Sequence, residues 1–335
     1  MGKLLRRIVA WLRRLYGRAE VPGRFESGSR FAWSGRLASA PLLWPSRQYL
    51  LYVPRNHWRW LRVPLVVLCH GCRQTPEEIA QGTRIAALAD ERGFIVLLPR
   101  QSEDANAWRC WTWFDSRTAG GNGEAAIVAA QMKAVMRRYR IDRKRVIVAG
   151  MSAGGAMAAI MGVRYPGLVR AVAAHSGIPC GAAASPLTAM RVAAEGPDQD
   201  VVAVADRARR RAARGSFPVP LLAIHGRRDE VVSPLHAASM VAQFLRLNGH
   251  GAMGPDGGSM TTLPLADREA RTTLSDGREE IAREWHVDGR LVARYLEVSD
   301  LGHAWSGGDA SLPYNDAGAP DATALLGAFI DDALR

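Results

Sequence analysis

Arg145-Val146-Ile147-Val148-Ala149-Gly150-Met151-Ser152-Ala153-Gly154-Gly155 joins an apolar run to a small-residue segment through Gly-x-Ser-x-Gly. Four apolar positions ending at Gly150 suit a central parallel strand, and Ala153 to Met161 suits a helix whose small residues allow close packing on a sheet. Ser152 then stands on the sharp turn between them, with its hydroxyl at the carboxyl edge of the sheet. Gly150 and Gly154 let neighbouring backbone approach. The pentapeptide alone also fits a glycine-rich turn with an idle serine, so the rest of the chain must decide.

Strands and helices alternate around this point. Gln48 to Val53, Pro64 to Cys69 and Phe94 to Leu98 read as strands, and Glu77 to Arg92 and Gly123 to Arg140 as helices. After the turn come short buried strands at Ala171 to Ala174 and Leu221 to Ile224, then a helix from Pro234 to Leu247. Ile281 to Val287 and Leu291 to Val298 flank Asp288-Gly289, a hairpin signal, and Thr323 to Leu334 closes the chain as a helix. This rhythm predicts an α/β fold with a mostly parallel central sheet and helices on both faces. Between Pro179 and Pro220 no strand is evident. Arg207, Arg209, Arg210, Arg211 and Arg214 there predict a solvated helix face on an insertion at about 179–219.

The 335 residues, 48% of them hydrophobic, suffice for one large domain over 47–335. No apolar run is long enough to span a membrane. The charge of +12 is unevenly placed, since residues 1–36 hold nine cations against Glu20 and Glu26. In Met1 to Arg18 the apolar Leu4, Leu5, Ile8, Val9, Trp11, Leu12, Leu15 and Tyr16 fall on one half of a helical wheel and the cations on the other. That pattern predicts a basic amphipathic helix over 1–18, either lying on an anionic membrane or granule surface or packed on its own domain. Arg13 and Arg14 interrupt the apolar run and no small-residue cleavage site follows, so no cleavable signal is read; this favours a cytoplasmic or peripherally attached protein. Residues 19–46, with Pro22, Gly23, Gly28, Gly35, Pro41 and Pro45, read as a linker. No zinc-finger spacing, RNP-like motif or base-reading helix supports a nucleic-acid partner.

An acyl-transfer serine needs a base to take its proton and an acid to orient that base. Asp229 follows a buried strand in His225-Gly226-Arg227-Arg228-Asp229, and His303 follows the strand ending at Val298, so both belong at the edge that carries Ser152. The order Ser152, Asp229, His303 is that of α/β-hydrolases. Asp300 and Asp206 are alternative acids, and His70, His175, His225, His236, His250 and His286 are alternative bases. The oxyanion hole is expected to use the backbone N–H of Ala153 and of Cys72, on the loop after Leu65 to Cys69. Trp108, Trp111, Trp113 and Trp305 lie on loops near this edge. Trp305 in particular, with Trp111 and Trp113, is expected to touch substrate. Cys69-x-x-Cys72 has no second pair, and no glycine-rich segment matches a phosphate loop, so neither metal nor cofactor is implied.

Together, His70-Gly71-Cys72-Arg73-Gln74, Asn106 with Cys110-Trp111-Thr112-Trp113-Phe114, Gly123-Glu124, Gly150 to Met157 and Gly302-His303-Ala304-Trp305-Ser306-Gly307-Gly308 resemble the polyhydroxybutyrate (PHB) depolymerase-type esterases, which are themselves similar to feruloyl and acetylxylan esterases. The resemblance covers roughly 47–332. It implies an α/β-hydrolase esterase with Ser152, Asp229 and His303 as triad, and it places Cys72 near Cys110, bonded if the protein is exported, with Cys69 and Cys180 free. Closing the loop between them, 110 − 72 = 38 steps along the chain, stabilises by roughly 3 to 4 kcal/mol. Secreted depolymerases of this kind usually carry a further polymer-binding domain, for which this chain has no room; secretion stands as the alternative that the resemblance implies. The expected substrate is a short-chain hydroxyalkanoate ester or oligomer, with a feruloyl or acetyl ester next. The different-class alternative is a non-catalytic protein of a granule or membrane surface.

Overall fold

The computed structural model describes residues 23–31, 46–55, 57–58, 60–250 and 263–334. The helix expected over 1–18 and most of the expected linker lie outside them. Ten strands form one sheet in the order β1-β2-β4-β3-β5-β6-β7-β10-β9-β8. Its centre is β3 (Val63–Cys69), β4 (Ile95–Pro99), β5 (Ile141–Met151), β6 (Ala171–His175), β7 (Leu221–Gly226) and β10 (Arg290–Val298), mutually parallel. Antiparallel strands flank it: β1 (Arg24–Phe31) and β2 (Ser46–Val53) on one side, β9 (Glu279–Val287) and β8 (Arg268–Thr273) on the other.

The central strands read as unbroken apolar runs because both faces are covered. Leu65, Val67, Val146 and Val148 face one core, with the helices α4 (Gly123–Arg138, preceded by the short α3, Ser116–Ala119), α5 (Ala153–Arg164), α7 (Val201–Arg211) and α8 (Leu235–Asn248). Val66, Leu68, Ile147 and Ala149 face the other, with α1 (Pro76–Gly82), α2 (Ile85–Arg92) and α9 (Ala322–Ala333). Helix α5 is buried from Ala153 to Val163, and its small residues make that depth accessible. A Cβ on Gly162 would come within 2.5 Å of Val172, so a larger residue would push the helix off β6.

The structure departs from the sequence reading in the expected linker and in the first expected helix. Within the span read as linker, Arg24–Phe31 forms β1, paired antiparallel to β2 in full register from Arg24↔Val53 to Phe31↔Ser46. Gly28 lacks a side chain to pack, and the Tyr49 ring opposite lies over it, 2.3 Å from where a Cβ would sit. The helix expected over Glu77 to Arg92 is two, because Arg84 adopts φ 53° and breaks the run between α1 and α2. The insertion holds two helices, α6 (Ala189–Glu195) and α7, the latter burying Val201, Val204, Ala205 and Ala208 and leaving Arg207, Arg209, Arg210 and Arg211 exposed.

Candidate active site

Strand β5 passes to α5 through Ser152 at φ 57° and ψ −124°, a backbone region that L residues rarely occupy, at a typical cost of about 1–3 kcal/mol. The surroundings hold it there. The Ser152 N–H donates to the His175 carbonyl at 2.9 Å. A Cβ on Gly154 would fall 2.0 Å from the Cys69 carbonyl oxygen, and one on Gly150 would fall 2.4 Å from Gly154 backbone. Those contacts are backbone against backbone, so no rotamer change relieves them, and the turn needs glycine at both positions.

The His70-Gly71-Cys72 loop lies directly over this turn: the Cβ position of Gly71 is 3.5 Å from that of Ser152. As first residue of α5, Ala153 has an N–H with no intrahelical acceptor. Among the described residues the Cys72 N–H has no acceptor either. Ala153 directly follows Ser152, and Cys72 directly follows the Gly71 that touches it, so two donors without acceptors among the described residues adjoin the serine turn. The loop is pinned from several sides. Gln74, buried, accepts the Gly71 N–H at 2.9 Å, and Arg73 donates its N–H to the Trp108 carbonyl at 2.7 Å. Cys72 and Cys110 are joined in a disulfide with Cα atoms 4.2 Å apart, while Cys69 and Cys180 are free and buried. Below the loop, His70 Nε2 accepts the Gln101 N–H at 3.1 Å, which fixes its proton on Nδ1, donating to the Gly71 carbonyl at 2.7 Å. Burial pushes His70 down to about 4, so it stays neutral. Glu124 accepts from the Gln101 amide and, at 2.7 Å, from the Thr112 N–H.

Asp229 and His303 meet on the loops after β7 and β10. His303 Nδ1 lies 2.8 Å from Asp229 Oδ2. The other carboxylate oxygen accepts the Val231 and Val232 N–H groups at 3.0 and 2.8 Å. Burial alone would raise the Asp229 pKa, but hydrogen bonds from His225 and His303 outweigh it and hold the carboxyl well below its ordinary range. The two loops are tied together: Arg227 N–H donates to the Val298 carbonyl at 2.8 Å and Arg228 N–H to Leu301 at 3.1 Å. Asp300 engages Arg228 and Asp206 engages Arg246, so neither alternative acid is bound to His303.

The alternative histidines are in structural settings. His236 bonds the Val192 carbonyl at 2.7 Å, and His175 stacks on Trp305 with its pKa pushed down to about 3 by burial. His225 has a part that the sequence did not reveal: its Nε2 is 2.9 Å from the Val232 carbonyl and 3.3 Å from Asp229 Oδ2, the same carboxylate oxygen that His303 engages. Gln74 and Glu124 stood within quoted motifs, but only the fold shows what they hold.

The expected tryptophan contacts need correction. Trp111, Trp113 and Trp305 are 1%, 6% and 4% exposed, buried in the core instead of lining a cleft. Their indoles serve the frame: Trp111 Nε1 donates to the His70 carbonyl at 3.0 Å and Trp305 Nε1 to Thr323 at 3.0 Å. Of the four, Trp108 is the exposed one, at 57%, beneath the Arg73 guanidinium.

The chain is 32% identical over 188 residues, 56% of its length and 45% of the relative's, to poly(3-hydroxyalkanoate) depolymerase C of Paucimonas lemoignei. It is 35% identical over 116 residues to feruloyl esterase B of Neurospora crassa, covering 34% and 39% of the two chains. The chain spans about half the length of the curated relatives it matches. Among solved structures, the acetyl xylan esterase from Aspergillus awamori superposes with a TM-score of 0.64 at 19% identity, over 83% of this chain and 94% of the other, a likeness that establishes the α/β-hydrolase fold. The family model described as esterase PHB depolymerase matches residues 47–258, most of the chain, with the Ser152 turn and the His70-Gly71-Cys72 loop inside it; the chain belongs to that esterase family.

Proposed function

We propose that this chain is a serine carboxylesterase working through an acyl-enzyme. The observation that carries the reading is the convergence, at one sheet edge, of a strained Ser152 beside two unspent N–H donors and a 2.8 Å His303–Asp229 pair. Ser152 Oγ attacks the ester carbonyl carbon as His303 Nε2 takes its proton. Asp229, kept ionised, holds Nδ1–H and stabilises the imidazolium that forms. The N–H groups of Ala153 and Cys72 receive the negative charge on the carbonyl oxygen, each such donor typically contributing about 3 to 4 kcal/mol. Collapse of the tetrahedral intermediate releases the alcohol with the proton from His303. Water, deprotonated by the same histidine, then cleaves the acyl-serine.

For substrate, we infer a short-chain hydroxyalkanoate ester or oligomer, supported by the likeness to poly(3-hydroxyalkanoate) depolymerase C. A feruloyl or acetyl ester is the second reading, supported by the likeness to feruloyl and acetylxylan esterases. Hydrolysis of p-nitrophenyl acyl esters, hydroxybutyrate oligomers and methyl ferulate by the wild type and Ser152→Ala tests both levels. Turnover of any of these esters that Ser152→Ala abolishes supports the mechanism, and equal turnover by the two proteins overturns it. The better of oligomer and ferulate decides the substrate reading.

A further inference from the structure

The end of the sheet opposite Ser152 is built differently. Before β3, the Trp58 and Trp60 rings approach to 4.8 Å, and Trp60 is 63% exposed. Arg140 donates to the Trp60 carbonyl at 3.2 Å. Pairing of Val63 with Ile141 sets Arg62 beside Arg140, and the next paired residues are Leu65 and Val146. Residues 142–145 of β5 therefore stand opposite the single Pro64 as a bulge, and the exposed Arg143 and Lys144 lie in it.

The charge here exceeds its compensation: five cations, Arg62, Arg140, Arg143, Lys144 and Arg145, stand against one carboxylate, Asp142, whose field reaches Arg62 as well as Arg145. Asp142, the bulge's carboxylate, is engaged by Arg145 at 2.7 Å. Arg62, Arg140, Arg143 and Lys144 have no carboxylate at ion-pair distance among the described residues, whereas nearby Arg55 and Arg138 are paired with Asp90 and Glu26. Four unpaired cations around an exposed indole combine the two features that suit the headgroup region of an anionic bilayer: long-range attraction to the surface, and an amphipathic ring that settles at its depth. A single-stranded nucleic acid would call for successive separate stacking rings. Here the second indole is packed against the first.

We propose that Trp60 and Arg62, with Arg140 and the 142–145 bulge, form a docking surface for anionic lipid bilayers. The surface lies at the amino ends of the parallel strands and Ser152 at the carboxyl end of β5, about 25 Å away along the sheet. On the proposed serine-esterase reading, docking turns the catalytic edge toward water, so the enzyme takes its ester from solution and the lipid is a tether.

The test is sedimentation of the full-length chain with vesicles of phosphatidylcholine alone or with added phosphatidylglycerol, at low and high salt. Wild type is expected to bind the anionic vesicles in a salt-sensitive way and to leave the neutral ones. The triple variant Arg62→Glu, Arg143→Glu, Lys144→Glu should lose at least about tenfold in partitioning and Trp60→Ala several-fold, both with wild-type circular dichroism and wild-type hydrolysis of a soluble p-nitrophenyl ester. Wild-type partitioning by the triple variant would overturn the proposal and put binding elsewhere, residues 1–18 included. So would indifference to Trp60→Ala with heparin and single-stranded DNA bound through the same cations, which would make this a polyanion site. Intact vesicle binding by a chain that hydrolyses no ester would leave the surface standing and overturn only the esterase reading.

Discussion

The two ends of the central sheet solve opposite problems. At the carboxyl end, polar groups are buried and held by many bonds: Asp229 accepts two backbone N–H groups and is engaged by two histidines, and Ser152 keeps a strained backbone because glycine backbone packs behind it. At the amino end, Trp60 and the cations of the β5 bulge are exposed and bonded to little. Over-determination at one end permits strain and burial of charge. Its absence at the other leaves a surface that tolerates change in the isolated protein.

On the proposed mechanism, that contrast breaks first at Ser152, His303 and Asp229. Ser152→Ala or His303→Ala should lower kcat on the order of 10⁶-fold and Asp229→Asn about 10⁴-fold, because members of such a unit fail together. Steady-state kinetics on a p-nitrophenyl ester checks this, and a Ser152→Ala enzyme within about tenfold of wild type ends the mechanism. Gly154→Ala tests the packing behind the serine. The added Cβ meets the Cys69 carbonyl at 2.0 Å, so the variant should lose both activity and melting temperature, unlike Ser152→Ala, which should melt near wild type.

How far the sequence disclosed this depended on how local the constraint is. The elbow is a local problem, and Gly150, Ser152 and Gly154 state it within five residues. Asp229 and His303 were legible because strands that end at one edge deliver the residues after them to that edge. Strand β1 was not, since Ser27, Gly28 and Ser29 resemble a linker until Tyr49 covers the glycine from the neighbouring strand. The tryptophans misled for the same reason: loop position places Trp111 and Trp305 near the site, while burial under His70 and against His175 is a tertiary fact. His225 adjoins a glycine at a strand end like many histidines, and its reach to Asp229 depends on how the 226–232 loop folds back.

Smaller effects sharpen the comparison. Opening the Cys72–Cys110 bridge by serine at both positions should cost roughly 3 to 4 kcal/mol in denaturant unfolding, the loop spanning 38 residues. It should also lower kcat, because the bridge anchors the Cys72 N–H. Loss of stability without loss of kcat would remove Cys72 from the oxyanion hole. The buried histidines set an acid limit at the same end. His70 and His175 have native pKa values pushed down to about 4 and about 3 by burial, below the unfolded value of about 6.5. Between those values the unfolded chain binds more protons, so stability falls as the pH drops below about 6.5, each histidine adding about 1.4 kcal/mol per pH unit to the slope. Asp229, depressed, adds stability that is present above about 3.9 and lost only below it. Unfolding free energies at a series of pH values should therefore be flatter for His175→Gln than for wild type, and parallel curves would show that His175 is not held neutral.

The smallest expected change lies at the amino end. Arg143 is exposed and unpaired, and Ser152 lies about 25 Å away along the sheet. At that distance, several Debye lengths at physiological salt, its charge is screened from His303 and the oxyanion site. Arg143→Glu should leave the unfolding free energy within about 0.5 kcal/mol and kcat unchanged. A small gain in stability is the expected sign, because the substitution removes repulsion from Arg62, Arg140 and Lys144. Denaturant titration and ester kinetics on the same preparation check both. A tenfold loss of kcat would mean that the two ends are coupled through β5, and the division of the sheet into a rigid catalytic end and a tolerant docking end would fail.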